Sequence, residues 1–104
     1  MKETISIREN SWMAAIAAYK LGVSSVAFTL GKTIHLHNTS RSVFLADQRW
    51  VRHEMAHIEQ FRRHGLLTFI FLYLFESVRN GYYMNKFEVE ARESETRNLV
   101  GAGQ

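Results

Sequence analysis

Apolar and polar positions repeat with two different periods along the chain, and the changes of period divide it into elements. Residues 12–19 are apolar and alanine-rich, Asn10 or Ser11 can cap ahead of them, and Gly22 follows, which predicts a first amphipathic helix through Leu21. Residues 23–30 and 33–38 read as strands. In the second, Thr33, His35 and His37 alternate with Ile34 and Leu36, the pattern of a strand with one wet face and one buried face. Gly31-Lys32 between them suits a two-residue turn with glycine at its first central position, so the pair forms an antiparallel hairpin. Residues 42–45 are a candidate third strand.

After Asp47, a capping residue, the period becomes helical. With His53 as the reference direction, His57, Gln60 and His64 fall on the same side, Val51, Met55 and Ile58 fall opposite, and Trp50 and Phe61 lie between. One face is expected to be free for polar chemistry while the other packs. Arg62-Arg63-His64 followed by Gly65 is a strong helix stop, with cations on the negative end of the helix dipole. Residues 66–80, closed by Gly81, predict the next helix. Its apolar run 66–75 is well short of the ~20 residues that a bilayer span needs. That run is expected to be core, with a membrane-surface helix beside Arg62, Arg63 and His64 as the alternative. Asn85 opens a last helix over about 86–98, ahead of a tail over about 99–104 that is expected to fray. The fold expected is α+β in one domain over 1–104: an N-terminal helix, a small hairpin or three-stranded sheet, a long polar-faced helix and two further C-terminal helices.

Composition narrows this further. The 104 residues, 46% hydrophobic, are enough for one core and too few for two domains. The net charge of +3 is mild and segregated, with Arg41, Arg49, Arg52, Arg62 and Arg63 around the long helix and Glu88, Glu90, Glu93 and Glu95 on the last one. No basic stripe with interleaved aromatics points to nucleic acid. The arginines read as a solvated face, with an acidic substrate or lipid headgroup as the alternative. Without cysteine there are no disulfides and no thiolate zinc sites. Charged Lys2, Glu3, Arg8 and Glu9, and Lys20 directly after the first apolar stretch, make a poor signal peptide, so the cytoplasm is expected.

The chemistry concentrates in His53-Glu54-Met55-Ala56-His57. On a helix, residues four apart share a face, so both imidazoles can reach one zinc at about 2.0–2.1 Å. Glu54 points about 100° away and can hold a water beside the metal. The plainer alternative is an exposed, metal-free helix face. A third ligand must come from elsewhere, because two histidines and one carboxylate leave a position open for water, as catalysis requires. His64 lies ~10 Å further along the axis and cannot share their ion. His35 and His37 project together from the hairpin and are expected to be merely exposed, with metal or substrate binding by the pair as the alternative. The last helix offers Glu88 and Glu90, which point to different faces. Glu88 lies near Met84, Ala91 and Glu95 on the helical wheel, and three residues after Asn85 it can also complete a capping box. Glu90 can equally be an exposed helix position.

His53-Glu54-Met55-Ala56-His57-Ile58-Glu59-Gln60, followed after a helix by Glu88-Val89-Glu90-Ala91, resembles the small bacterial zincin domains of the glutamate-ligand type, the gluzincins. The resemblance spans roughly residues 33–92 and implies Glu88 as the third ligand, three residues before the alanine. It implies metallopeptidase chemistry on a peptide or protein substrate, with Zn2+ as cofactor and Glu54 as the base that takes a proton from the attacking water. Arg92 departs from the Asp or Asn that many relatives carry after that alanine, which leaves the second partner of a ligating histidine open. Tyr82, Tyr83 and His64 are candidate oxyanion donors. A non-catalytic zinc-binding interaction module is the alternative function, because little chain remains to build a substrate cleft beyond the hairpin edge.

Overall fold

Residues 4–102 are described by the computed structural model, and their side chains over residues 4–96. The first element is a strand too short to read from its sequence, β1 (Ser6–Arg8). Helix α1 (Trp12–Leu21) begins where the Ser11 hydroxyl accepts from the Ala14 N–H, and it ends at Gly22, whose φ of 71° suits a residue without a β-carbon. Strands β2 (Val26–Leu30) and β3 (Thr33–His37) form the expected hairpin, with Gly31 at φ 64° in the turn. Next come α2 (Arg41–Ala46), α3 (Gln48–His64, capped by Asp47), α4 (Leu66–Met84) and α5 (Lys86–Ala102). The fold is α+β, a three-stranded mixed sheet with five helices. The tail expected to fray over about 99–104 lies outside the described side chains.

The strand expected at 42–45 is instead helix α2. Ser40 accepts from the Val43 N–H to cap it, and only Phe44 points inward, so four residues carried too little pattern to separate the two periods. The third strand is β1. It pairs parallel with β3, Ile7 opposite Ile34, while β2 pairs with β3 antiparallel, Phe28 opposite His35. Hence β3 is central and β2 has a free edge. The expectation of a wet face on β3 therefore fails: His35 is buried beneath α1, its Nδ1 2.9 Å from the Ser11 hydroxyl that caps the helix.

Two helices bury different faces from those expected. Helix α1 docks through small residues, Ala14 and Ala18, and leaves Trp12, Ile16 and Tyr19 exposed. Helix α4, expected to be core, buries only Phe69, with Ile70, Leu72 and Tyr73 half-buried beside it; Leu67, Phe71, Leu74 and Phe75 are exposed. It packs on one side only, where Phe69 meets Phe61 of α3 and Phe87 of α5 edge-on at centroid distances of 4.5 and 4.9 Å. Among the described residues no helix is long and apolar enough to cross a membrane.

Helix α3 runs through the centre. Its Ile58 joins Ala27, Ile34, Leu36 and Phe44 in the core under the sheet, while His57, Gln60 and Phe61 are buried toward α4 and α5. Of the residues expected to pack, Ile58 and Val51 do so and Met55 is exposed, while the face of His53 and His57 meets Glu88 of α5.

Candidate metal centre

His53 and His57 stand one turn apart on α3, with ring centroids 5.0 Å apart. Both turn Nε2 toward one oxygen of Glu88 on α5, at 3.1 Å from His53 and 3.2 Å from His57. Two ligands at about 2.0–2.1 Å from a tetrahedral zinc are about 3.3 Å apart, so these spacings fit such an ion closely. Ligand atoms of His53, His57 and Glu88 all lie within 4.8 Å of one another, and the three residues could hold a metal ion. The alternative of an exposed helix face does not describe them: Glu54 is 4% exposed, His57 7% and Glu88 4%.

Their neighbours prepare the donor atoms. His53 Nδ1 lies 2.7 Å from Glu95 Oε2, and a carboxylate can only accept, so the Nδ1–H donates there and, by the same rule, the Nε2–H donates to Glu88; losing that second proton alone would free Nε2 for an ion while Glu95 keeps the ring in place. His57 Nδ1 lies 2.8 Å from Gln60 Oε1. The Gln60 amide nitrogen donates to Phe87 O and to Glu90 Oε1, which turns its oxygen toward His57. Glu90 therefore lies outside the cluster and steadies the residue that steadies His57. Tyr73 of α4 donates to Glu88 Oε2, leaving Oε1 to face the imidazoles. Asn85, fully buried, caps α5 by accepting from the Phe87 N–H, and its own N–H goes to Tyr82 O, so Glu88 completes no capping box.

The charges follow from this packing. Burial works against a charged His57, but the hydrogen bond and negative charge of Glu88 outweigh it and hold the imidazole up at about 9. Burial likewise opposes the charge on Glu88, yet its bonds to His53 and His57 take its carboxyl well below the usual range. Glu54 goes the other way: burial raises it, against the pull of His57 and of the Thr29 hydroxyl, which donates to its Oε1 at 2.6 Å. A carboxyl raised in this way is suited to accept a proton and release it again.

Of the three tyrosine and histidine candidates, only Tyr82 lines the cleft with His53, Glu54 and Glu88. The Tyr83 ring is covered by the Arg92 guanidinium at 3.9 Å, and His64 stacks on Phe69. The cleft, about 360 Å³, follows the free edge of β2 between α1 and α4. Glu95, Gln60, Thr29 and Tyr73 were not singled out as site residues from the sequence. Glu95 and Gln60 did carry a signal, since each shares a helical face with a candidate ligand. Thr29 and Tyr73 carried none, because strand and helix meet them only in three dimensions. Residues 4–65 match the family model described as the eCIS core domain, a stretch that runs from β1 through α3 and stops short of Glu88. No curated protein and no solved structure matches the chain.

Proposed function

The chain belongs to the eCIS core domain family, and we propose that this member is a zinc-dependent metallopeptidase acting on a peptide or protein substrate. One observation carries the reading: two imidazole Nε2 atoms and one carboxylate oxygen converge, each with its other donor or acceptor tied, while a second carboxylate, Glu54, stands beside them on the same cleft without joining them. A purely structural ion has no need of that second carboxylate.

His53, His57 and Glu88 would hold the ion, which supplies a Lewis acid with a position open to water. Glu54 then takes the proton of the attacking water as its oxygen bonds the scissile carbonyl carbon, and passes that proton to the amine as the C–N bond breaks. Thr29 holds Glu54 Oε1, which leaves the other carboxylate oxygen for this exchange. The Tyr82 hydroxyl, whose pKa burial and the nearby Glu88 push well up, stays protonated and can donate to the developing oxyanion. The free edge of β2 supplies backbone N–H and C=O groups along the same cleft.

Hydrolysis of a mixed peptide library, with and without chelator, tests this. Glu54→Gln should leave zinc content unchanged and lower turnover at least 100-fold, the usual contribution of a general base. A variant that hydrolyses at the parent rate shows that Glu54 is not the base. Zinc retention with no hydrolysis in the parent protein would favour the non-catalytic interaction module.

A further inference from the structure

The cleft beside the candidate metal centre carries most of its polar groups at one end, with the exposed Lys20 also on its lining. His53, Glu54, His57 and Glu88 form that end. The remaining wall is chiefly carbon, from Leu21 on α1, Phe28 and Leu30 on β2, Phe61 on α3, and Ile70 and Leu74 on α4. About 360 Å³ lies within the range of sites that enclose small ligands, and exceeds the room one water or metal ion requires. The polar groups at the far side of the centre are already engaged: Thr29 donates to Glu54 and Tyr73 to Glu88. A charged side chain entering along the apolar wall would lose its water and gain little in return, whereas an aliphatic or aromatic one would be stabilised by leaving water.

We infer that this cleft is the specificity pocket of the proposed peptidase, and that it takes a bulky apolar side chain of the leucine or phenylalanine kind next to the scissile bond. The inference rests on the metallopeptidase reading, and adds to it a substrate class. The residues that set the preference are separate from those that hold the ion. Ala17 of α1, half-buried at the cleft, limits its width from one side, and Ile70 of α4 from the other.

The experiment measures binding to the full zinc-loaded chain of small hydroxamates that differ in one substituent: hydrogen, isobutyl, benzyl or carboxymethyl. The isobutyl and benzyl compounds should bind about 10- to 100-fold more tightly than the unsubstituted one, the gain expected from taking such a side chain out of water. The carboxymethyl compound should show no gain. Ala17→Phe fills the pocket and should remove the apolar advantage while zinc content and binding of the unsubstituted hydroxamate stay as in the parent. Ile70→Ala, which opens the wall instead, should weaken the isobutyl compound by about 10-fold and serves if Ala17→Phe does not fold. Equal binding across the series, a preference for carboxymethyl, or an apolar advantage that survives the folded variants overturns the specificity pocket while leaving the metal reading intact. If zinc is not held, or the unsubstituted hydroxamate does not bind the zinc-loaded protein, the metal reading falls and the pocket with it.

Discussion

At the scale of single residues, Glu88 and Glu90 differ in chemical standing although they are two positions apart. Glu88 faces both imidazoles, whereas Glu90 accepts from Gln60 and lies 3.9 Å from Arg63. Glu88→Gln should therefore lower zinc affinity by more than the 10- to 100-fold typical of changes around a ligand, and Glu90→Gln by less. Zinc titration of the two variants checks this, and the reverse order would reassign the carboxylate. The raised His57 makes a second prediction. Its folded value of about 9 lies above the ordinary 6.5, so its proton stabilises the metal-free protein fully below 6.5 and that contribution is lost as pH rises through about 9. Zinc must displace the proton, so binding at neutral pH should release at least about one proton per ion, falling as pH passes about 9. Calorimetry in buffers of different ionisation heat reads the number directly. Binding without proton release at neutral pH would contradict the arrangement.

At the scale of elements, Ser11 joins two features that the sequence left separate. Its hydroxyl caps α1 through the Ala14 N–H and meets the buried His35 of β3. Ser11→Ala should cost about 1–3 kcal/mol, combining a lost cap with an imidazole left without a partner, and denaturant unfolding would measure it. His35 is lowered by burial and by the nearby Arg8 charge. The unfolded chain therefore binds its proton more readily, so His35 costs the protein stability as pH falls below about 6.5. Caps and stops at Ser11, Gly22, Asp47 and Gly65 were legible because each is a local hydrogen bond or a local φ. The burial of α1 and α4 was not, because which face docks depends on the partner: alanines let α1 lie close on the sheet, and α4 has a neighbour on one side only.

At the scale of the whole molecule, the aromatic cluster of Phe61, Phe69 and Phe87 fixes α4 against α3 and α5. Phe69→Ala should cost about 3–5 kcal/mol by opening a cavity in it. Since Tyr73 lies one turn further along α4 and holds Glu88, zinc affinity should fall along with thermal stability. Unchanged zinc affinity in a folded Phe69→Ala protein would show that α4 is not part of what positions the ligand. The exposed Leu67, Phe71 and Phe75 are the other face of that same arrangement, since a helix held by one stripe must leave its opposite stripe outside.

The sequence by itself determined what three residues about one turn of helix apart can do. His53 and His57 share a face because the helix repeats every 3.6 residues, and Glu54 stands off that face for the same reason. It also determined the hairpin, whose turn is set by Gly31 and whose strands are adjacent in the chain. Tertiary structure alone decided that β3 lies between β1 and β2, that Glu95 meets the outer nitrogen of His53, that Phe87 and Glu90 of α5 hold the Gln60 amide, and that Thr29 and Tyr73 orient the two carboxylates. These are contacts between elements far apart in the chain. Local periodicity carries no term for them, and only the docking of α3 between the sheet and helices α4 and α5 brings those atoms within hydrogen-bond distance.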